Sequence, residues 1–158
     1  MNYSVTAFPH HRSLDVKTVD LMAWLEEVSG SDGTWVKWDG PGFFPHVVLK
    51  TRYARNVERF TGLVQFDIDD SSYLGRYSDR SALITSLKAH PDCLLAYPSF
   101  SEFGVWGVCR GTIVDDEKEF QIMATRLIAA FEGELGILFD RRVSIEPRAF
   151  RLIPPCLS

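Results

Sequence analysis

The sequence predicts an α+β fold in which helices pack on one face of a mostly antiparallel sheet. Three observations lead there. Gly62 to Asp70 alternates as a strand, with Val64, Phe66 and Ile68 on one side and Leu63, Gln65, Asp67 and Asp69 on the other. Phe120, Met123, Ala124, Leu127, Ile128 and Phe131 form one unbroken helical stripe. After residue 60 the predicted elements run β-α-β-β-α-β, the alternation of a two-layer sandwich. In that architecture the sheet face without helices is where ligands go, and Asp67 and Asp69 are expected on it.

Bulk properties agree with a soluble globule. At 158 residues, 46% hydrophobic and 24% charged, the chain has one domain's length and enough apolar residues for a sizeable core. A formal net charge of −4 argues against coating duplex DNA through a broad basic surface, though a local basic groove stays open. Cys93, Cys109 and Cys156 are isolated and have no zinc spacing, so they read as reduced thiols. No leader-like segment and no apolar stretch near the ~20 residues of a membrane span is present, so a cytoplasmic protein without membrane contact is expected.

Taken in order, Tyr3 to Phe8 reads as a first strand ended by Pro9. Asp15 can cap a helix from Val16 to Val28, where Leu21, Trp24, Leu25 and Val28 share a face, and Ser29 to Gly33 stops it. Trp35 to Phe44 is loop or hairpin around Gly40-Pro41-Gly42, and His46 to Thr51 is a short strand. Lys50, Arg52, Arg55 and Arg59 then crowd four cations ahead of the acidic strand, either merely solvated or holding nucleic-acid phosphates. Ser71 to Tyr77 is polar loop. Ser78 or Asp79 caps a helix to Ala89, and Cys93 to Tyr97 is a strand. A turn from Pro98 leads into another strand through Val105 to Arg110. Asp115 or Asp116 caps the long helix, which Gly133 closes. Leu135 to Asp140 and Phe150 to Ile153 are the last two strands. His10, His11, His46 and His90 have no ligand spacing and read as structural or exposed.

The end of the acidic strand sets the functional question. Asp67 and Asp69 lie on the same side, about 6–7 Å apart along the strand. Like charges so close raise each other's pKa unless a cation sits between them. Either the strand simply stops at an Asp-rich turn, or a divalent metal binds. A two-metal site needs carboxylates from more than one strand, and Asp140 is the candidate third acid. Asp70 points to the core side or begins the loop and is set aside. Glu146 is a reserve ligand whose spacing suits a turn better.

Phe139-Asp140-Arg141-Arg142-Val143-Ser144-Ile145-Glu146, followed by Phe150-Arg151-Leu152-Ile153-Pro154, resembles the third motif of the archaeo-eukaryotic primase superfamily. The Asp67-x-Asp69 strand matches the first motif, and Ser101-x-x-Gly104-Val105-Trp106 sits where the second, Ser-x-x-Gly-apolar-His, belongs. The resemblance covers residues 45–158 and is nearest to the primase-like modules of plasmid, phage and integrated-element replication proteins. It implies one primase-type, RRM-like catalytic domain over 1–158, with 1–44 as an N-terminal extension of unassigned role. Asp67, Asp69 and Asp140 would hold Mg²⁺ or Mn²⁺ and catalyse nucleotidyl transfer from nucleoside triphosphates on a single-stranded DNA template. Ser101, Gly104, Trp106, Arg110 and Arg151 would bind the nucleotide, and Arg148 would join the upstream cations on nucleic acid. A helicase, as a further domain or subunit, is the family's common neighbour.

One position departs from the pattern. Trp106 replaces the motif His that touches nucleotide phosphates, and an indole has an N–H donor but no positive charge. Arg110, four residues on, points the same way in a regular strand and could supply the cation. Either Trp106 stacks on a base, or synthesis is lost and a single-strand-binding or replication-initiation module remains. A metal-dependent phosphodiesterase or nuclease with a similar acid set is a third possibility.

Overall fold

The computed structural model describes residues 2–29, 35–53 and 57–155. Its elements begin with β1 (Ser4–Phe8), β2 (Lys17–Asp20), α1 (Leu21–Ser29), β3 (Gly42–Phe44), β4 (Val47–Val48) and β5 (Arg59–Phe60). The acidic strand β6 (Leu63–Ile68) follows, then α2 (Arg80–Ala89), β7 (Cys93–Pro98), β8 (Val105–Arg110) and α3 (Glu117–Leu135). The short α4 (Arg141–Ile145) and β9 (Arg151–Leu152) complete the chain. The whole is α+β with antiparallel sheets, in two compact units: Met1–Thr61 with Arg148–Leu157, and Gly62–Pro147.

In the first unit the sheet order is β2-β1-β3-β9, and β4 pairs separately with β5. The predicted helix from Val16 starts five residues late. Lys17–Asp20 instead pairs with β1, Val19 opposite Val5, because the β-branched Thr18 and Val19 favour an extended backbone and β1 offers that backbone a ladder. Asp20 is then the cap: its carboxylate accepts from the amides of Ala23 (3.1 Å) and Tyr3 (3.0 Å). Leu21, Trp24 and Leu25 are buried as the stripe requires, with Trp24 against Phe43. The expected stop at Gly30 to Gly33 lies outside the described residues.

The second unit is built on a three-stranded sheet of order β6-β8-β7. Phe66 points toward α3 and meets Phe131 and Phe139 at centroid distances of 6.5 and 5.3 Å. Gly107 lies under that ring, and a Cβ there would come within 2.2 Å of it, so only glycine fits. Asp79 and Asp116 cap α2 and α3, through Ala82 N and Glu119 N, each at 2.8 Å. Helix α3 runs past Gly133 and closes at Gly136, whose φ of 69° is the left-handed conformation that ends helices. Ser72–Gly75, expected as plain loop, is a 3-10 turn that buries Tyr73, with its hydroxyl donating to Phe103 O (2.8 Å).

Three expectations about the sheet are corrected. Residues 135–140 form no strand. The amide of Phe139 goes to the Glu132 carboxylate (3.0 Å) and that of Asp140 to Asp67 O (2.8 Å), so the segment runs along the outer edge of β6 into α4. Ser144 Oγ donates to Gln65 O (2.8 Å) on the same edge. The final strand, β9, pairs with β3 in the first unit's sheet rather than with the acidic strand. The face carrying the acids is not open either. Leu63, Gln65, Leu95, Trp106 and Val108 are all buried, and the face reaches solvent at its acidic end, with Asp67 half-buried and Asp69 exposed, and at Arg110 at the other end.

Candidate functional site: an acidic cluster at the end of β6

Asp67 is the last acid within β6, and Asp69 stands one residue beyond the strand. The third acid arrives by a main-chain route. Asp140 N donates to Asp67 O, which pins the start of α4 beside the strand end. Glu132 reinforces this from α3. Its buried carboxylate accepts from Phe139 N and from the Arg141 guanidinium, bracketing Asp140 on both sides. Glu132 was not anticipated as part of the site. The signal for it was a charged residue directly after Phe131 of the core stripe, at a position that faces inward.

The electrostatics follow from this convergence. Partial burial, together with the charge of Asp67 and hydrogen bonds to Asp67 and Asp140, pushes the Asp69 carboxyl up to about 6. A carboxylic acid there can hold a proton that its neighbours share. Asp140 goes the other way. Burial alone would raise it, but hydrogen bonds from the side chain and amide of Arg142 outweigh burial and hold it below the usual carboxylate range. The amide bond is 3.0 Å and the guanidinium lies 3.4 Å from both oxygens, on a side chain that is 90% exposed. Arg142 is therefore the cation beside the cluster, and its place two residues after the third acid was the available clue. Asp70 is engaged elsewhere: its carboxylate accepts from Ser72 N at 2.9 Å, as an acid kept out of the site would.

Of the remaining candidates, several are placed away from the acids. Trp106 stands directly across from Asp67 in the β6–β8 register, but it is fully buried, its ring 5.5 Å from Tyr97. An indole inside the protein cannot stack on a base, so that expectation is corrected. Arg110 pairs in register with Leu63, at the opposite end of β8 and about 13 Å along the strand from Trp106. Its guanidinium donates to Pro91 O (2.7 Å), so it does not supply the missing cation to the acids. Ser101 and Gly104 shape the β7–β8 loop: Gly104 N donates to Ser101 Oγ (3.0 Å), and Arg80 clamps Ser101 O (2.7 Å).

The basic residues fall in the first unit. Arg52 is buried, donating to Ser13 O (2.9 Å) with its guanidinium 4.1 Å from the Phe8 ring centre. It is a core arginine, not a nucleic-acid contact, because two carbonyls and the rings absorb its charge. Lys50, Arg59 and Arg148 are exposed, Arg59 beside Glu58. Arg151 lies opposite Phe43 in the four-stranded sheet. Arg55 lies outside the described residues.

Three carboxylates are hard oxygen donors, the set that Mg²⁺ or Mn²⁺ takes, and the raised Asp69 marks a cluster short of positive charge. As they stand, Asp140 is turned onto Arg142, and among the described residues no three Asp, Glu, His or Cys side chains form a ready metal-holding group. No helix among the described residues is long and apolar enough to cross a membrane. Comparison of the chain with family models, with curated proteins and with solved structures gave no match.

Proposed function

We propose that the chain is a primase-polymerase-like nucleotidyltransferase that extends a primer on single-stranded DNA, in the cytoplasmic replication of a mobile element. One observation carries this reading: Asp140, distant in sequence, meets Asp67 and Asp69 in one hydrogen-bonded cluster at a solvent-reaching strand end. The three-motif resemblance supplies the substrate class, nucleoside triphosphates, and the primase-type fold that the α+β architecture accommodates. A helicase partner belongs to the same expectation.

Asp67 and Asp69 would hold Mg²⁺ or Mn²⁺ from the strand side, and Asp140 would close the set on releasing Arg142. When bound, such an ion neutralises phosphate oxygens and lowers the pKa of the attacking hydroxyl. The chain's own contribution is placement. The Asp140 N–Asp67 O bond and the Glu132 bracket hold the acids in register before any ligand arrives. Arg142, once released from Asp140, would offer its exposed guanidinium to the triphosphate. Calorimetry with Mn²⁺ and a nucleoside triphosphate, followed by primer extension, tests this. Binding and extension that disappear in Asp67→Ala support it, and a wild-type protein that binds neither metal nor nucleotide refutes it.

A second reading has its own observation. Trp106 is buried and Arg110 is held by carbonyls at the far end of its strand, so neither supplies the second motif's cation. A primase fold that retains only single-strand binding would show that pattern. Its binding would be insensitive to chelator, and primer extension would be absent from the wild type.

A further inference from the structure

The first unit carries a row of aromatic rings that the acid cluster does not use. Trp38 is 55% exposed on a turn closed by Asp39 N to Val36 O (3.0 Å). The turn is held firmly. The Trp35 indole donates to Ile153 O (2.8 Å), and Gly40 lies so close beneath that ring that a Cβ would fall 2.0 Å from it. Trp38 meets the edge of His11 at 5.0 Å, His11 meets Phe150 at 5.1 Å, and the Lys37 ammonium lies 5.3 Å from the Trp38 ring centre. Beyond Phe150 the buried Arg52 guanidinium lies 5.9 Å from the ring of Tyr53, which is 74% exposed. The row therefore begins and ends in a solvent-facing ring.

We propose that this row is a stacking platform for single-stranded nucleic acid. An exposed Trp on a pre-set turn gives up the burial that its large apolar surface would otherwise gain. Flat rings with cations alongside are what an unpaired strand recognises: bases stack on the aromatics, and phosphates meet Lys and Arg. Local charge agrees, despite the net −4 of the chain. Apart from the buried Arg52, residues 8–13, 35–53 and 148–155 hold Arg12, Lys37, Lys50, Arg148 and Arg151 against the single acid Asp39. Duplex DNA, whose bases are already stacked on one another, offers the rings nothing. The inference does not rest on metal binding at the acids, and it concerns different residues.

Fluorescence anisotropy in EDTA at low salt, with labelled oligothymidylate and oligouridylate, tests it. Trp38→Ala should weaken binding roughly tenfold or more, the scale of one lost base–aromatic stack, and Tyr53→Ala should weaken it less. Trp38→Phe, which keeps a ring and guards against a folding defect, should stay within about threefold of wild type. Equal losses with both oligomers identify stacking common to DNA and RNA, and a loss with one identifies that strand as the ligand. Unchanged affinity in Trp38→Ala, equal affinity for duplex, or no binding by the wild type overturns the proposal. Mn²⁺ calorimetry on the same variants should match wild type, so failure of the platform and failure of the metal site give separate signatures.

Discussion

Arg52 in the first unit and Asp69 in the second are charged side chains that their surroundings treat in opposite ways. Arg52 is 6% exposed, yet the His10 and Ser13 carbonyl oxygens and the Phe8 ring meet its guanidinium. Asp69 is exposed as a residue, yet partial burial of its carboxyl, together with the acids that crowd it, drives it up to about 6. A charge whose partners are complete is structural, however unusual its burial. A charge whose neighbours are of its own sign leaves an electrostatic deficit for a ligand to fill. Burial by itself would have pointed to the wrong residue.

The largest expected effect breaks the acidic half of this contrast. Asp67→Ala should bring nucleotidyl transfer to background and weaken Mn²⁺ binding at least about a hundredfold, the upper range for mere outer-shell partners of a metal. Calorimetry and primer extension measure it, and metal affinity unchanged in this variant would remove Asp67 from the site. Next comes the structural half. Arg52→Ala should destabilise the fold by about 2–4 kcal/mol, since it strands the Ser13 carbonyl in the interior and removes packing against Phe8. Its Mn²⁺ affinity should be that of wild type, with chemical denaturation and calorimetry giving the two readouts.

A pH series sharpens the comparison further. Asp69 has its folded pKa raised from 3.8 to about 6, so its contribution to stability is present below pH 4 and is lost as pH rises toward 6. In chelator, the difference in melting temperature between wild type and Asp69→Asn should shift against wild type across that window. Mn²⁺ should restore it above pH 6, where the carboxylate is ionised and able to bind. A flat difference curve would mean that the acids do not interact. The smallest effect concerns Arg142. Removing this exposed competitor from Asp140 by Arg142→Ala should raise Mn²⁺ affinity by roughly twofold to fivefold while weakening nucleotide affinity. The same sign for both ligands would contradict the proposed exchange.

Features governed by neighbours in sequence were legible. Asp79 and Asp116 precede apolar-periodic runs and cap them, because an N-cap needs only its own carboxylate and the amide three residues on. The alternation of β6 and the α3 stripe were visible for the same reason. Where two local patterns coincide, legibility failed. Ile137-Leu138-Phe139 alternates as a strand would, with Leu138 outward, but its amides go to Glu132 and Asp67 instead of a ladder. Lys17–Asp20 lay within the expected helix from Val16, but β1 offered it a strand partner.

The same division holds at the site. The sequence by itself determined which residue types stand at the strand end and that Asp67 and Asp69 share a side, since a strand's period of two requires it. It also marked Asp70 as outside the set. Only the tertiary structure decided that Asp140 reaches them from a helix cap rather than a strand. It alone showed that Trp106 is sealed in, that Arg52 is a core residue, and that Glu132 holds the third acid in place. The physical reason is that a side chain's charge environment is made by residues distant in sequence. Which carbonyl, ring or carboxylate arrives there is known only once the chain has folded back on itself.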